Sequence, residues 1–479
     1  MNIAIVHYHL EKGGVTRVIE NTIESFSKLP NSPNFVVLSG RKYTGNKIKN
    51  VKIIDGLDYS TPDKSISPKI LKERMEDAAI EGLQEKPDLW HIHNHSLGKN
   101  PTLTKACSLI ASAQYPVLLH PHDFAEDGRP SNFHFLKEVY KETYPTSKNI
   151  HYAVLNQRDL TFIKILLKNS ASKAHILANA IPPPNKRCDA INKLPELPAN
   201  LFLYPVRAVR RKNLGELVLL SSAYDDLYFA NSLGPTNPAF TPIYNRWKKF
   251  SKNMELPITF GMGEQIDCTF EDFVNSASGV ITTSIAEGFG LGFLEPWTFD
   301  KFLHGRNIPE ITEDFSKLGI KLNHMYNKIE IDLKHIKNSG VLKSKIKSVL
   351  NKFFSDYGQE LPKNAEKIAY NSIVKNNMLD FGRVDELMQE EIILSVRKSE
   401  ATKIEIQNQA KIGESKTNIL AENKNAVQEN FSLNSYREKL FKIYLELCNT
   451  KHSKVEFVDG NNLLKSFLKP ERLNLLRTN

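Results

Sequence analysis

The sequence has few cysteines and no long apolar run. Four scattered cysteines without a CxxC pair fit reduced thiols that are buried one by one, not a disulfide framework or a zinc site: Cys107, Cys188, Cys268 and Cys448. No stretch approaches the ~20 consecutive apolar residues of a membrane helix. The first residues, Met1–Tyr8, lack the basic leader of a signal peptide and predict a strand. We therefore expect a cytoplasmic protein without a transmembrane segment, and peripheral membrane contact stays open.

Basic residues outnumber acidic ones, but they form no stripe that alternates with aromatic residues. The formal net charge of the 479 residues is +10. Solvated helix faces explain this charge, and attraction to an anionic acceptor or membrane surface is the alternative. Without a basic and aromatic stripe we expect no nucleic-acid partner.

Strand-like and helix-like segments alternate along two parts of the chain. The first series covers residues 1–195 and the second covers 196–400, with a proline-rich break beginning at Ile181. This alternation predicts an α/β fold of two Rossmann-like domains, each a doubly wound parallel sheet, that face each other across a cleft. Residues 401–479 predict a polar linker and C-terminal helices that can pack back on the first domain. The role of the tail after residue 320, and of Arg306 before it, is open.

A glycine-rich turn follows the predicted strand Gly279–Thr282, and a helix is expected to begin near its end. Bare backbone amides in such a turn can approach a ligand closely: Gly288, Phe289, Gly290, Leu291 and Gly292. Glu287 precedes the turn and Glu295 follows it, and their carboxylates can accept hydrogen bonds from sugar and ribose hydroxyls. An ordinary loop with a surface glutamate on each side explains the same residues.

Two further segments follow the first strand of each series. Arg207 and Lys212 are well placed to neutralise a departing diphosphate at the end of a strand. Gly13 and Gly14 offer free amides to a phosphate or substrate before the first helix. Each segment alone also fits a solvated loop or a plain turn.

Two polar loops follow central strands of the first series. His122 and Asp123 follow the strand Val117–His120 and can orient hydroxyls or move a proton. Together with His95, the cations Lys99 and Arg129 predict a site for a small hydrophilic acceptor, and for an anionic one if the cations face it. Surface cations that only aid solubility, and a structural histidine, are the alternatives.

In their order and spacing these segments resemble the retaining glycosyltransferases of family 4. The resemblance covers residues 1–300 and rests on the Gly-Gly turn, the histidine after a central strand, an Arg and Lys five positions apart, and two Glu with seven residues between: Gly13, Gly14, His122, Arg207, Lys212, Glu287 and Glu295. The sequence departs from that family at Ala180, at Pro205-Val206 and at Asn213, where glycine is usual.

The resemblance implies a GT-B fold and a metal-independent hexosyl transfer with retained configuration and no cofactor. Residues 196–400 would bind the nucleotide-sugar donor, with Glu295 on the ribose and Glu287 with the 288–292 amides on the sugar. Arg207 and Lys212 would stabilise the departing diphosphate. Residues 1–195 would serve the acceptor, and His122, with Gly13 and Gly14, would complete the site.

Other classes remain compatible with these residues. An epimerase or a phosphorylase of GT-B shape would keep the same two sheets, and a sugar-nucleotide-binding protein could lack catalysis altogether. The sequence leaves the oligomeric state, the donor base and sugar, and the identity of the acceptor open.

Overall fold

The computed structural model describes residues 1–60, 66–184, 197–266, 269–414 and 417–477. Cys188 and Cys268 lie outside these ranges. Cys107 is buried and Cys448 is half-buried, both as free thiols. The expectation of a buried thiol therefore holds for Cys107 and is wrong for Cys448.

The chain forms two compact units. Unit 1 comprises residues 1–182, 355–359 and 430–469, and unit 2 comprises 183–354, 360–429 and 470–479. The first change of unit falls in the proline-rich break. The tail is divided between the units, whereas the sequence analysis treated 401–479 as one segment.

The described strands, in chain order, are β1 Asn2–His7, β2 Asn34–Ser39, β3 Val51–Ile53, β4 Leu89–His93, β5 Val117–His120, β6 Pro145–Thr146, β7 Ile150–Val154, β8 Lys173–Ile176, β9 Leu201–Arg207, β10 Tyr228–Leu233, β11 Ile258–Phe260, β12 Gly279–Thr282, β13 Leu303–Gly305, β14 Glu330–Asp332, β15 Val374–Lys375, β16 Met378–Asp380 and β17 Glu456–Phe457. The strands predicted at Met1–Tyr8, Val117–His120 and Gly279–Thr282 are present as β1, β5 and β12.

The described α-helices are α1 Gly14–Phe26, α2 Pro68–Leu83, α3 Pro101–Ser112, α4 Pro130–Leu136, α5 Gln157–Leu167, α6 Leu214–Ala223, α7 Thr241–Asn253, α8 Phe270–Ser276, α9 Glu295–Thr298, α10 Pro309–Lys317, α11 Ser339–Asp356, α12 Ala365–Ile373, α13 Glu386–Val396, α14 Glu400–Ala410, α15 Thr417–Phe431, α16 Leu433–Cys448 and α17 Asn461–Phe467. Several begin where a side chain caps the first turn, as Asn100 does by accepting from the Leu103 amide at 3.1 Å.

Unit 1 is built on a seven-stranded parallel sheet in the order β3-β2-β1-β4-β5-β7-β8. Both faces of the sheet are covered by apolar side chains, which is typical of parallel sheets. On one face, α16 packs its buried stripe against the sheet: Tyr436, Leu440, Ile443, Tyr444 and Leu447. The spacing of these residues, mostly three or four positions apart, places them on one side of the helix.

Unit 2 is built on a five-stranded parallel sheet in the order β11-β10-β9-β12-β13. A separate three-stranded antiparallel sheet in the order β14-β16-β15 follows along the chain. The sequence does not mark these strands, because each is only two or three residues long.

Arg306 connects the two sheets of unit 2. Its guanidinium donates to both carboxylate oxygens of Glu216, at 2.9 and 2.6 Å, and to both of Asp380, at 3.0 and 2.7 Å. The three side chains are almost completely shielded from water, so each charge depends on the other two. The arginine without an assignment in the sequence therefore joins α6 to β16.

Candidate functional site

Two loops of unit 2 lie together at the carboxyl edge of its sheet. One follows β9 and the other follows β12, and these two strands are neighbours in register. The Ile285 amide donates to the Arg211 carbonyl at 3.0 Å, and the Thr283 hydroxyl donates to the Lys212 carbonyl at 2.9 Å. The sequence predicted both loops, and the structure joins them by hydrogen bonds.

Lys212 and Glu287 form an ion pair between these loops. Burial alone would raise the pKa of Glu287, but the Lys212 and Arg211 cations outweigh it and hold the pKa below its usual value. The carboxylate is therefore ionised near neutral pH and can accept hydrogen bonds.

A cavity of ≈ 160 Å³ opens beside this ion pair. It is lined by β9 and β12, by α8, and by the glycine-rich turn: Tyr204, Pro205, Val206, Lys212, Phe270, Val274, Val280, Ile281, Thr282, Glu287, Leu291, Gly292, Phe293, Glu295, Pro296 and Phe299. Five side chains of this lining are polar and the others are apolar, as in many small-molecule sites: Tyr204, Lys212, Thr282, Glu287 and Glu295.

The glycines of the turn have different roles. A Cβ at Gly288 or Gly292 would meet no atom within 4 Å, so the backbone there is open to a ligand. Gly290 has φ +92°, in the left-handed region that favours glycine, and a Cβ there would press on Phe293. Phe289 packs edge-on against Phe315 in the core, so only its backbone belongs to the turn.

The helix expected from Leu291 begins later. Residues 291–293 form a single 3₁₀ turn, and α9 starts at Glu295. Glu295 therefore opens a four-residue helix rather than lying within a longer one.

Asn213 explains one departure from the family pattern. It has φ +52° and ψ +52°, a conformation that asparagine tolerates better than most residues. Its side-chain amide donates to Glu216 at 3.0 Å, and its side-chain oxygen accepts from Gln389 at 2.9 Å. Asparagine can therefore replace glycine here because its side chain is anchored.

Arg207 is exposed at the last residue of β9. Within the described ranges no carboxylate forms an ion pair with it, in contrast to Lys212. The two predicted cations thus differ: Lys212 is paired with Glu287, whereas Arg207 is exposed and has no ion pair among the described residues.

Sequence reasoning missed the aromatic walls of the cavity. The Tyr204 and Ser284 hydroxyls lie 2.6 Å apart beneath the ion pair. Phe270, about half exposed, meets Phe299 edge-on at the mouth. No spacing pattern in the sequence marked these aromatic residues as ligand-facing.

In unit 1, the strands β1, β4 and β5 bring five histidines into ring contact: His7, His91, His93, His120 and His122. The period of two along a strand puts alternate residues on one face, and the register sets His93 beside His120. His122 is almost buried, and its Nε2 lies 2.8 Å from Nδ1 of His93. Burial lowers the pKa of His122 to about 4, so the ring is neutral near pH 7.

His95 does not face solvent. Its ring is completely buried and lies edge-on to Tyr144 and Tyr152, which is a core position rather than an acceptor surface. A single histidine in a polar loop gives no sequence signal that separates these two environments.

The two predicted acceptor cations differ in availability. Arg129 donates to the Asp123 carboxylate at 2.5 Å and to the Phe124 and Asp127 carbonyls, so it holds its own loop. The half-buried Lys99 ammonium forms no ion pair within the described residues and lies 5.5 Å from the centre of the Tyr59 ring.

Gly13 and Gly14 are exposed at the start of α1. A Cβ at Gly14 would meet nothing within 4 Å, and one at Gly13 would reach only ordinary contact distance. The space beside both residues is therefore open, as a ligand would require.

Two groups of side chains in the described ranges bring three metal-ligand atoms within 4.8 Å of one another: His91, His93 and His120, and His151, His175 and Glu446. The His91 and His93 rings stack with centroids 4.3 Å apart, so their in-plane lone pairs do not converge on one point. In the second group Glu446 already pairs with Lys173. The first geometry does not suit a single ion, the carboxylate of the second group is already paired, and metal independence stays a prediction.

Among the described helices, none combines the length and the apolar character required to cross a bilayer.

Comparison with known proteins gives one full-length relative. No protein-family model matches the chain. The mannosylglucosyl-3-phosphoglycerate synthase of Petrotoga mobilis is 26% identical over an alignment of 518 positions, which covers 99% of each protein.

Solved structures match most of the chain at low identity. Sucrose-phosphate synthase from Thermosynechococcus elongatus has a TM-score of 0.52 at 12% identity, covering 93% of this chain and 98% of that one. A glycosyltransferase from Rickettsia africae has a TM-score of 0.50 at 16% identity, covering 94% and 99%. HepE of Anabaena in complex with UDP has a TM-score of 0.50 at 11% identity, covering 92% and 99%.

These likenesses confirm the GT-B fold predicted from the sequence, with its two parallel sheets and its helical C-terminal region. The fold and the full-length relative together indicate the class, a glycosyltransferase.

The burial of His95 predicts acid sensitivity of unit 1. Burial lowers the pKa of His95 to about 3, whereas an unfolded-chain histidine titrates near 6.5. The unfolded chain therefore binds the proton first, so stability present above pH 6.5 is lost as pH falls toward 3. For one such histidine the loss between pH 7.5 and 5 is about 2 kcal/mol.

We expect His95→Leu to reduce this loss by about 2 kcal/mol in urea unfolding followed at pH 7.5 and pH 5. His134→Leu, on the exposed side of α4, is the matched control and should behave as the wild type. Equal pH dependence in His95→Leu and wild type would contradict the assignment.

Proposed function

We propose that the chain transfers a sugar from a nucleotide-sugar donor to a small anionic acceptor, with retention of configuration and without a metal ion. Unit 2 binds the donor and unit 1 binds the acceptor. The observation that carries the proposal is the unit 2 cavity, where Lys212, Glu287 and Glu295 surround one space beside an open glycine backbone.

The donor fits this cavity by the chemistry of its parts. The carboxylate of Glu295 can hold the ribose hydroxyls, and Glu287 with the amides of 288–292 can hold the transferred sugar. Lys212 and Arg207 can take up the negative charge of the diphosphate as it leaves, which is the task a metal ion performs in other transferases. The resemblance to family 4 supports these roles.

The reaction exchanges one bond at the anomeric carbon. An acceptor hydroxyl oxygen bonds to that carbon while the bond from the carbon to the phosphate oxygen breaks. The hydroxyl proton passes to the departing diphosphate. His122 is neutral near pH 7 and its ring is held by His93, so it serves the acceptor side as a hydrogen-bonding group and not as a cation.

An anionic acceptor agrees with both the relative and the charge on unit 1. The product named for the Petrotoga protein contains phosphoglycerate, which carries a phosphate and a carboxylate. Lys99 is the better candidate to bind such a group, because its ammonium has no ion pair in the described chain while Arg129 is engaged. We therefore propose an acceptor of the sugar-phosphoglycerate class.

The donor assignment predicts different behaviour for the two cations. Arg207→Ala should lower kcat by about 10²–10³-fold, as loss of a positioned charge does, and leave Tm unchanged, because Arg207 has no ion pair to lose in the described residues. Lys212→Ala should lower kcat similarly and also lower Tm, because it leaves the Glu287 carboxylate without its ion-pair partner.

Glu295→Ala should abolish the rise in Tm caused by the nucleoside diphosphate.

Lys334→Ala, at the exposed pair with Asp332, is the control and should leave kcat and Tm as in wild type. Wild-type turnover in both cation variants would reject the diphosphate role, and an undiminished Tm shift in Glu295→Ala would move the ribose elsewhere.

The acceptor assignment predicts a charge-specific effect of Lys99. Lys99→Ala should raise KM for glucosyl-3-phosphoglycerate by about 10–100-fold, since a hydrogen bond to a charged group contributes about 1.5–3 kcal/mol. KM for the donor should not change, and neither should the low activity that we expect with uncharged glucosylglycerol. Initial rates with both acceptors measure this.

Lys105→Ala, which breaks the α3 pair with Glu142, removes a neighbouring cation and should leave both KM values unaltered. An unchanged KM for the charged acceptor in Lys99→Ala would refute this role.

A further inference from the structure

The last described residues of the chain return to unit 2 and are buried there. We call residues 470–477 the C-terminal brace. After α17, Leu475 and Leu476 are 2% and 4% exposed, and Arg477 is only 1% exposed. A fully buried arginine is rare unless its charge is paired.

Arg477 is paired through a carboxylate that it shares with the donor loop. Its Nη1 lies 2.6 Å from Oε1 of Glu386 in α13. Arg210 donates to the same carboxylate through Nε and Nη2, each at 2.9 Å. Burial would raise the pKa of Glu386, but the two arginines outweigh this and hold it below the usual value. One carboxylate therefore links the brace to Arg210.

Two backbone contacts fix Arg210 directly against the brace. Nη2 of Arg477 donates to the Arg210 carbonyl at 3.1 Å, and Nη2 of Arg210 donates to the Leu476 carbonyl at 3.0 Å. Arg210 opens the single turn 210–212, which carries Lys212. The brace thus holds the first residue of the turn that presents the donor-site cation.

The second donor loop is also in contact with the brace. The Asn474 side-chain amide donates to the Ile285 carbonyl at 3.3 Å, two residues before Glu287. Arg383 in turn fixes the brace by donating to the Leu473 carbonyl at 2.8 Å. The brace therefore reaches both loops that form the donor cavity.

We propose that the C-terminal brace positions the donor-binding loops, with Arg477 acting through Arg210 on Lys212 and Asn474 acting through Ile285 on Glu287. Loops without such support open locally at low cost, and a displacement of 1 Å at a reacting group reduces rate severely. Arg477 and Asn474 are positioning residues and touch no substrate. The catalytic consequence rests on the proposed function, whereas the ordering of the loops does not.

Amide hydrogen exchange tests the ordering of the loops. Arg477→Met should speed exchange in peptides covering 210–213 and 283–288 by roughly five-fold or more, because these loops lose their support. Exchange in unit 1 should stay as in wild type. Calorimetry measures the binding of UDP and GDP. Whichever of the two binds the wild type should bind Arg477→Met about ten-fold more weakly.

Arg246→Met is the matched control. Arg246 also pairs with a glutamate of α13, Glu390, but this pair lies at the surface. The variant should alter neither loop exchange nor nucleotide binding. Wild-type exchange in both loops of Arg477→Met would overturn the proposal.

Asn474→Ala keeps the inference testable if Arg477→Met does not fold. It removes one 3.3 Å contact, so faster exchange is expected in 283–288 and not in 210–213, and unchanged protection of 283–288 would count against the brace. If the wild type binds neither UDP nor GDP, ADP, CDP and dTDP are tested in the same way. Binding of none of the five would reject the donor assignment, while the exchange result still decides the role of the brace.

Discussion

The hydrogen bonds between the loops after β9 and β12 determine most of what unit 2 can do. Parallel strands end at the same edge of a sheet, so neighbouring strands bring their following loops together. Here the Arg211 and Lys212 carbonyls accept from Ile285 and Thr283, and the Lys212–Glu287 ion pair closes the contact. The cavity, the ionised state of Glu287 and the open glycine backbone all follow from this junction. A transferase site can be built there because opposite charges are already held at fixed positions before a ligand arrives.

Unit 1 differs from unit 2 because a group of its polar side chains, the clustered histidines, is buried at the sheet. Histidines that share one face of β1, β4 and β5 are kept neutral by burial and bond to one another. Such a network lowers stability in acid but holds each ring in a defined orientation. His122 ends this network at the carboxyl edge of β5, so its orientation depends on His93 beneath it.

The sequence predicted the βα order and the two parallel sheets, because alternation along the chain is a local signal, and the family resemblance added the GT-B fold. Of the residues expected to bind the donor, five line the cavity of unit 2: Lys212, Glu287, Leu291, Gly292 and Glu295. Long-range features were not predictable. The short strands β14–β16 lack periodicity. The structural role of Arg306 depends on its pairing with Glu216 and Asp380, which are distant from it in the sequence. His95 resembled a loop residue because polar sequence does not reveal burial. The presence of Asn213 where the family has glycine is explained by its left-handed backbone and its anchored side chain, and neither can be read from the sequence.

The most direct test of the account is the release of nucleoside diphosphate from a panel of nucleotide sugars in EDTA, with and without glucosyl-3-phosphoglycerate, followed by NMR of the product. The account predicts that at least one donor gives release that depends on the acceptor, at a rate unaffected by EDTA, and a product that keeps the anomeric configuration of the donor. No acceptor-dependent release from any donor, release only after Mg²⁺ or Mn²⁺ is restored, or an inverted product would contradict it.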